Sequence, residues 1–238
     1  MKQLLIIKLG DTLPDLAARR GNFEDWFIVG LGLDNAQLQV FDPRTGADFP
    51  SLADLAGVLL TGSHAMVTER HDWSERTAAW IKQVVETGLP TLGVCYGHQV
   101  LAHAFGGQVG NNPCGTQEGT TSIQLTPAGL VDPLLGGLGM VFDAQVAHAQ
   151  SVLSLPQGAV RLAFDAWDAN QAFRIGENAW GVQFHPEMDA DIMRTYLRAE
   201  SADLLAEGQA PEKILAAVRE TPVAAQVLSR FAKLAIEK

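Results

Sequence analysis

Along the first hundred residues, short runs of Val, Ile and Leu alternate with longer stretches in which apolar positions recur at helical spacing. Strands covered on both faces are apolar at nearly every position, whereas half-exposed strands alternate. Four runs are of the covered kind: Leu4 to Lys8, Gln37 to Phe41, Gly57 to Leu60 and Thr91 to Val94. Between them the spacing predicts one helix beginning near Asn22 and another from Asp72 to Thr87. In the second, Asp72 and Glu75 have capping-box spacing, and Gly88 with Pro90 ends it.

Beyond Gly106 and Gly107 the texture changes to shorter alternating pieces, Thr121 to Leu125, Val141 to Gln145, Gln171 to Ile175 and Trp180 to Phe184. Such pieces suit an antiparallel or mixed extension of a parallel sheet. From Asp189 the chain reads as helices punctuated by Gly208, Pro211 and Pro222. The expected architecture is therefore α/β, a mostly parallel central sheet with helices on both faces and a small antiparallel or mixed extension. No repeat, low-complexity tract or linker divides it, so residues 1–238 are expected to form a single domain with a C-terminal helical segment over about 189–238.

Composition narrows the function classes. Apolar residues make up 47% and charged residues 18% of the 238, the balance of a folding chain rather than a disordered one. The formal charge of -10, with no basic run, argues against nucleic acid and anionic membrane surfaces as partners. The opening apolar core, closed by Lys8, is too short for a signal segment and reads as the first strand. No apolar stretch approaches the roughly 20 residues of a membrane span. A cytoplasmic location follows as the expectation. Only Cys95 and Cys114 are available for sulfur chemistry, without the spacing of a disulfide scaffold or of a zinc site, so no metal and no cofactor is expected.

Residues 90 to 105 carry the candidate chemistry. An apolar strand ending at Val94 runs into Cys95, and Gly97 opens a helix whose apolar side bears Val100, Leu101, Ala104 and Phe105. Gly93 and Gly97 bracket the cysteine as G-x-C-x-G, which removes bulk from a sharp turn that projects a nucleophile above a sheet. Unpaired N–H groups and the positive end of the helix favour thiolate there. The competing interpretation is a buried cysteine packing as a small hydrophobe.

Some ninety residues on, an apolar strand ends in His185, Pro186 and Glu187. Period-two alternation points residues 185 and 187 the same way, so Glu187 can hold one ring nitrogen and leave the other free. Pro186 keeps His185 extended. Alone, the triplet could equally be a capped loop; with the cysteine turn it completes a nucleophile, base and orienting carboxylate.

These residues resemble the class I, or triad, glutamine amidotransferases, whose nucleophile motif G-x-C-x-G-x-Q is matched by Gly93, Cys95, Gly97 and Gln99, and whose H-P-E by His185, Pro186 and Glu187. The similarity spans about residues 3 to 200. Within that family it is nearest to free-standing members related to the amidotransferase domain of GMP synthetase, a group that includes plant γ-glutamyl peptidases.

The resemblance implies a flavodoxin-like three-layer sandwich and thiolate attack on a γ-glutamyl amide to give a thioester. It also implies that Gln99 binds substrate. Where the family has Gly-Gly-Pro in its oxyanion turn, this chain has Gly62, Ser63 and His64. The backbone N–H groups of Ser63 and Tyr96 are then the expected oxyanion donors, with Gly62 beside the substrate. His148, in a segment like the family's pocket-bordering loop, either contacts substrate or is a satisfied structural histidine. His98 and His103 are expected to be structural or exposed, and Cys114 to be a loop residue without a role.

No G-x-x-x-x-G-K-[ST] phosphate loop or S-G-G-x-D nucleotide signature occurs, and no synthetase fits after residue 200. Three functions remain open: a glutaminase subunit serving a separate synthetase, a self-sufficient γ-glutamyl hydrolase, or a non-catalytic binding or regulatory module on the same scaffold. The expected ligand is a small amide, glutamine or a γ-glutamyl compound, and homo-oligomerisation is left open.

Overall fold

A computed structural model describes residues 2–236; Met1 and the last two residues of the C-terminal segment, 237 and 238, lie outside it. The strands are β1 (Gln3–Ile7), β2 (Leu38–Phe41), β3 (Leu55–Leu60), β4 (Thr91–Val94), β5 (Gln108–Asn111), β6 (Gln117–Leu125), β7 (Val141–His148), β8 (Gln150–Ser154), β9 (Val160–Phe164), β10 (Ala172–Ile175) and β11 (Ala179–Val182). The helices are α1 (Pro14–Arg20), α2 (Phe23–Leu31), α3 (Asp72–Glu86), α4 (Tyr96–Ala104), α5 (Pro127–Leu130), α6 (Ala190–Ala199), α7 (Ser201–Ala206), α8 (Pro211–Ala217) and α9 (Pro222–Ile236).

The main sheet runs β2-β1-β3-β4-β11-β10-β9-β6-β7, and β5 pairs with β8 in a separate ribbon. Pairings from β2 through β11 are parallel; those from β11 outward to β7 are antiparallel. The antiparallel extension is thus larger than the sequence pattern suggests. It also uses β9, which carries Arg161 in a short run and gives little signal by itself.

Side-chain alternation in β1 assigns Leu4 and Ile6 to one face and Leu5 and Ile7 to the other. The first pair packs with Phe27 of α2 and with Val227, Leu228 and Phe231 of α9. The second packs with Ile81 and Val84 of α3 and with Val100 and Leu101 of α4. Helices therefore cover both faces, giving the three-layer α/β fold. A further apolar cluster ties Met193, Tyr196 and Leu197 of α6 to Leu16, Phe23 and Trp26; it holds α6 and α7 over the carboxyl ends of the strands.

Helix α2 begins where expected, just after Asn22, whose side-chain oxygen accepts from Phe23 N–H and whose own N–H donates to the Asp25 carboxylate. Asp72 does not cap α3. It is the first helical residue, after His71, whose side chain makes no cap bond. Asp72 and Glu75 instead put negative charge in the first turn, where the helix dipole favours it. Likewise α4 begins at Tyr96, one residue before Gly97.

Candidate active site

Strand β4 ends at Val94 and α4 begins at Tyr96, so Cys95 alone carries the reversal of direction. Its backbone sits at φ 51° and ψ -104°, a conformation costing a side-chain-bearing residue roughly 1–3 kcal/mol. Arg70 is the other non-glycine with positive φ among the described residues. The bracketing glycines are required by space: a Cβ on Gly93 would lie 2.4 Å from the Gly97 carbonyl oxygen, and one on Gly97 would lie 2.6 Å from the Leu60 carbonyl oxygen. The sulfur is buried and points across to β7, where it lies 3.7 Å from the Ala147 carbonyl oxygen. Cys95 and Cys114 are both free thiols, and Cys114 is exposed.

The expected strand Trp180 to Phe184 stops early, at Val182. Gln183 N–H turns to the Gln171 carbonyl and His185 N–H to the Gln145 carbonyl, each at 2.8 Å. His185 and Glu187 therefore lie beyond the strand, in a bridge and the turn that follows, yet they meet: Nδ1 of His185 is 2.7 Å from Oε1 of Glu187. A carboxylate only accepts, so Nδ1 carries the proton and Nε2 is the free position.

That Nε2 is buried with no protein hydrogen-bond partner of regular geometry, while the Cys95 side chain acts on the ring through charge and hydrogen bonding. Burial opposes the imidazolium, but the Glu187 carboxylate and Cys95 outweigh it and hold the His185 pKa well above its ordinary value. The triplet thus favours a proton on His185 opposite sulfur.

Gly62 closes the other side; a Cβ there would be 3.4 Å from Cε1 of His185 and 3.9 Å from Cβ of Cys95. Ser63 lines the cleft with Cys95 and Tyr96. Its hydroxyl accepts from Ala65 N–H, and no hydrogen bond from the Ser63 or Tyr96 backbone N–H is present among the described residues. Both donors remain available.

Gln99 and His148 also line the cleft, but their polar atoms are largely engaged by the protein. Gln99 Nε2 donates to the Gln150 carbonyl at 2.7 Å and to Gln183 Oε1 at 3.0 Å. His148 places Nδ1 3.0 Å from the Gln150 carbonyl and Nε2 3.0 Å from Gln117 Oε1, and burial lowers its pKa. Both neighbours are acceptors, so the neutral ring donates to only one of them. His98 is fully buried against Phe173, at 4.7 Å between ring centroids. Burial pushes its pKa down to about 3, so it stays neutral. His103 meets Glu75 at 3.1 Å.

Two features of the cleft escape sequence reasoning. His64 is stacked between Phe23 and Tyr196, with centroids at 6.1 and 5.7 Å, so an aromatic clamp stands where the family has proline. In addition, Glu118 of β6 meets Glu200, Asp203 and Glu207 in one wall. Burial, reinforced by Glu200, Glu207 and Asp203, pushes the Glu118 carboxyl up to about 9. Nothing local ties Glu118 to the other three, which lie in and beside α7 some eighty residues further along the chain.

Residues 30–202 match the family glutamine amidotransferase class-I. The chain is 35% identical over 187 residues to a GMP synthase [glutamine-hydrolyzing] of Aeropyrum pernix, covering 78% of this chain and 33% of that protein. It is 27% identical over 178 residues to gamma-glutamyl peptidase 4 of Arabidopsis thaliana, covering 73% and 70%. A glutamine amidotransferase structure from Thermotoga maritima superposes with a TM-score of 0.75 over the full length of both chains at 19% identity.

The chain belongs to the class I glutamine amidotransferase family. It spans about a third of the length of the GMP synthases it matches. No helix among the described residues is long and apolar enough to cross a membrane.

Proposed function

We propose that the protein hydrolyses the γ-amide of glutamine or of a γ-glutamyl compound through a thioester on Cys95. The carrying observation is the free, buried Nε2 of His185 facing Cys95 while Glu187 fixes Nδ1. Thiolate adds to the γ-carbonyl carbon, and the oxyanion takes hydrogen bonds from the Ser63 and Tyr96 N–H groups. The C–N bond breaks as imidazolium gives its proton to the leaving nitrogen. Neutral His185 then takes a proton from water, hydroxide adds to the thioester, and glutamate leaves as sulfur is released. Substrate binding by Gly62 and Gln99 belongs to this reading. His148 shapes the wall through its own bonds.

Release of an amine larger than ammonia is favoured by one feature. The cleft opens past Asp203 and Glu207, which are both exposed, so a bulky leaving group has an exit. This supports a self-sufficient γ-glutamyl hydrolase over a subunit that hands ammonia to a synthetase. The test is to incubate the isolated protein with glutamine and γ-glutamyl amides, trap the intermediate by mass spectrometry, and label with a glutamine-mimicking diazo-ketone. A Cys95 acyl-enzyme and amine release are expected. Labelling away from Cys95, or turnover retained in Cys95→Ala, would refute the mechanism.

A further inference from the structure

The wall facing the catalytic triplet carries Glu118, Glu200, Asp203 and Glu207, and no lysine or arginine among the described residues lines the cleft. The four are graded in exposure. Asp203 and Glu207 stand at the rim, Glu200 is half-buried, and Glu118 is only 9% exposed. Glu207 is already occupied by the N–H and hydroxyl of Thr116, at 2.9 and 2.7 Å. Glu118 is not: its Oε2 is shut off from water with no N–H or hydroxyl donor on it, and the group its carboxyl hydrogen-bonds with is another carboxyl, that of Glu200. Buried carboxylate oxygens left in that state are uncommon and costly. Here the two carboxyls line the cleft together and hold each other only by sharing a proton, since both ionised they repel.

Position matters as well. Glu118 pairs across the sheet with Ala147, whose carbonyl is 3.7 Å from the Cys95 sulfur. The acidic wall therefore begins one strand away from the thiol, within reach of a few methylene groups attached to the scissile nitrogen.

We infer that the cleft selects γ-glutamyl amides whose leaving amine bears a second, distal ammonium, as in a diamine or polyamine, and that Glu118 and Glu200 receive that ammonium. The inference rests on the hydrolytic reading above. An ammonium supplies the donors Glu118 lacks and neutralises the wall. The glutamyl end of the substrate is a poorer match, because its α-ammonium shares a carbon with an α-carboxylate that the same wall would repel. A γ-glutamyl peptide fits worse, since its leaving amino acid brings a free carboxylate into a cleft with no basic side chain. In the empty cleft, burial and its acidic neighbours keep the Glu118 carboxyl largely protonated; an arriving cation favours its ionised form.

Three γ-glutamyl amides with the same four-carbon chain test this with the full chain at neutral pH: those of 1,4-diaminobutane, butylamine and 4-aminobutanoate, whose distal ends are cationic, neutral and anionic in turn. The expected order of kcat/KM is cationic, neutral, anionic, with the first step roughly 10- to 100-fold, the range of a charge-assisted hydrogen bond. Glu118→Gln and, separately, Glu200→Gln should lower the cationic-to-neutral ratio about tenfold. If the variants slow both amides equally and leave the ratio unmoved, the wall serves the glutamyl end and the inference fails. It fails too if the wild-type ratio is one or less while the diazo-ketone labels Cys95, an outcome that leaves the hydrolytic reading standing. Labelling without turnover of the cationic amide also overturns it. Absence of both labelling and turnover overturns the inference together with the reading beneath it.

Discussion

Glu187 sits 2.7 Å from His185 through Oε1, and its side chain is wholly buried. A carboxylate two residues along the chain thus fixes the tautomer of a ring that is itself only 3% exposed, leaving Nε2 for sulfur. Its second oxygen, Oε2, has no hydrogen-bond partner, so little besides the imidazolium compensates its charge.

Glu187→Gln should therefore lower kcat/KM by roughly 10- to 100-fold, less than the 10³-fold or more expected for His185→Ala. The Glu187 carboxylate is among the influences that raise the His185 pKa; removing its charge lowers that pKa. If the active form is imidazolium opposite thiolate, the alkaline limb of the pH profile ends where His185 loses its proton. The limb should move to lower pH in the variant. An unmoved limb in the pH dependence of kcat/KM would count against His185 as the titrating acid.

The strain at Cys95 predicts a stability effect of opposite sign to its catalytic one. Cys95→Ala keeps a Cβ at φ 51° and should leave stability close to wild type while abolishing turnover. Cys95→Gly relieves the conformation and should be more stable than Cys95→Ala by about 1 kcal/mol, in spite of glycine's larger unfolded-state entropy. Denaturant titration of the two variants measures the difference. A glycine variant less stable than the alanine one would mean that the turn is unstrained.

The glycine bracket gives a third expectation. Gly93→Ala brings a Cβ to 2.4 Å from the Gly97 carbonyl oxygen and 2.8 Å from the His98 nitrogen, backbone atoms that cannot swing aside. Overpacking of this kind costs roughly 1–3 kcal/mol, and here it also displaces the first turn of α4 and with it the Cys95 sulfur. Both Tm and kcat should fall. A variant with a lower Tm and unchanged kcat would show that the turn can shift without moving the thiol.

What could be foreseen from sequence follows from how local each constraint is. The Gly93, Cys95 and Gly97 turn is written into five consecutive residues because the steric conflict it avoids is between neighbours. The reach of Glu187 to His185 is likewise local, and survived although β11 ends at Val182 and the extended geometry expected for the pair is replaced by a turn. Strands β5 and β8 were not legible: Gln108–Asn111 holds a single large apolar residue, Val109, and pairs with a segment some forty residues away. Asp72 misleads as a cap because an acidic residue suits both the cap and the first helical turn. The acidic wall was invisible for the same reason as β5. Glu118 and Glu200 are brought together by the packing of α6 and α7, which no spacing rule encodes.

That wall carries the last prediction, which concerns stability and is independent of substrate. The Glu118 carboxyl, held up to about 9 chiefly by burial, binds its proton more tightly folded than unfolded, where an ordinary glutamate titrates near 4.3. Between those values the folded state holds more protons than the unfolded one, so this group makes stability fall as pH rises. Below the unfolded value both states are protonated and the penalty vanishes. Glu118→Gln keeps the shape and removes the titration. Its Tm should match wild type at pH 4 to 5 and exceed it at pH 8 by roughly 5 °C, taking a cost of about 1–3 kcal/mol for an unsatisfied buried group. Scanning calorimetry of both proteins across that range measures the gap. A gap that stays constant with pH, or widens toward acid, would show that the Glu118 carboxyl is ionised at neutral pH and already has its counter-charge.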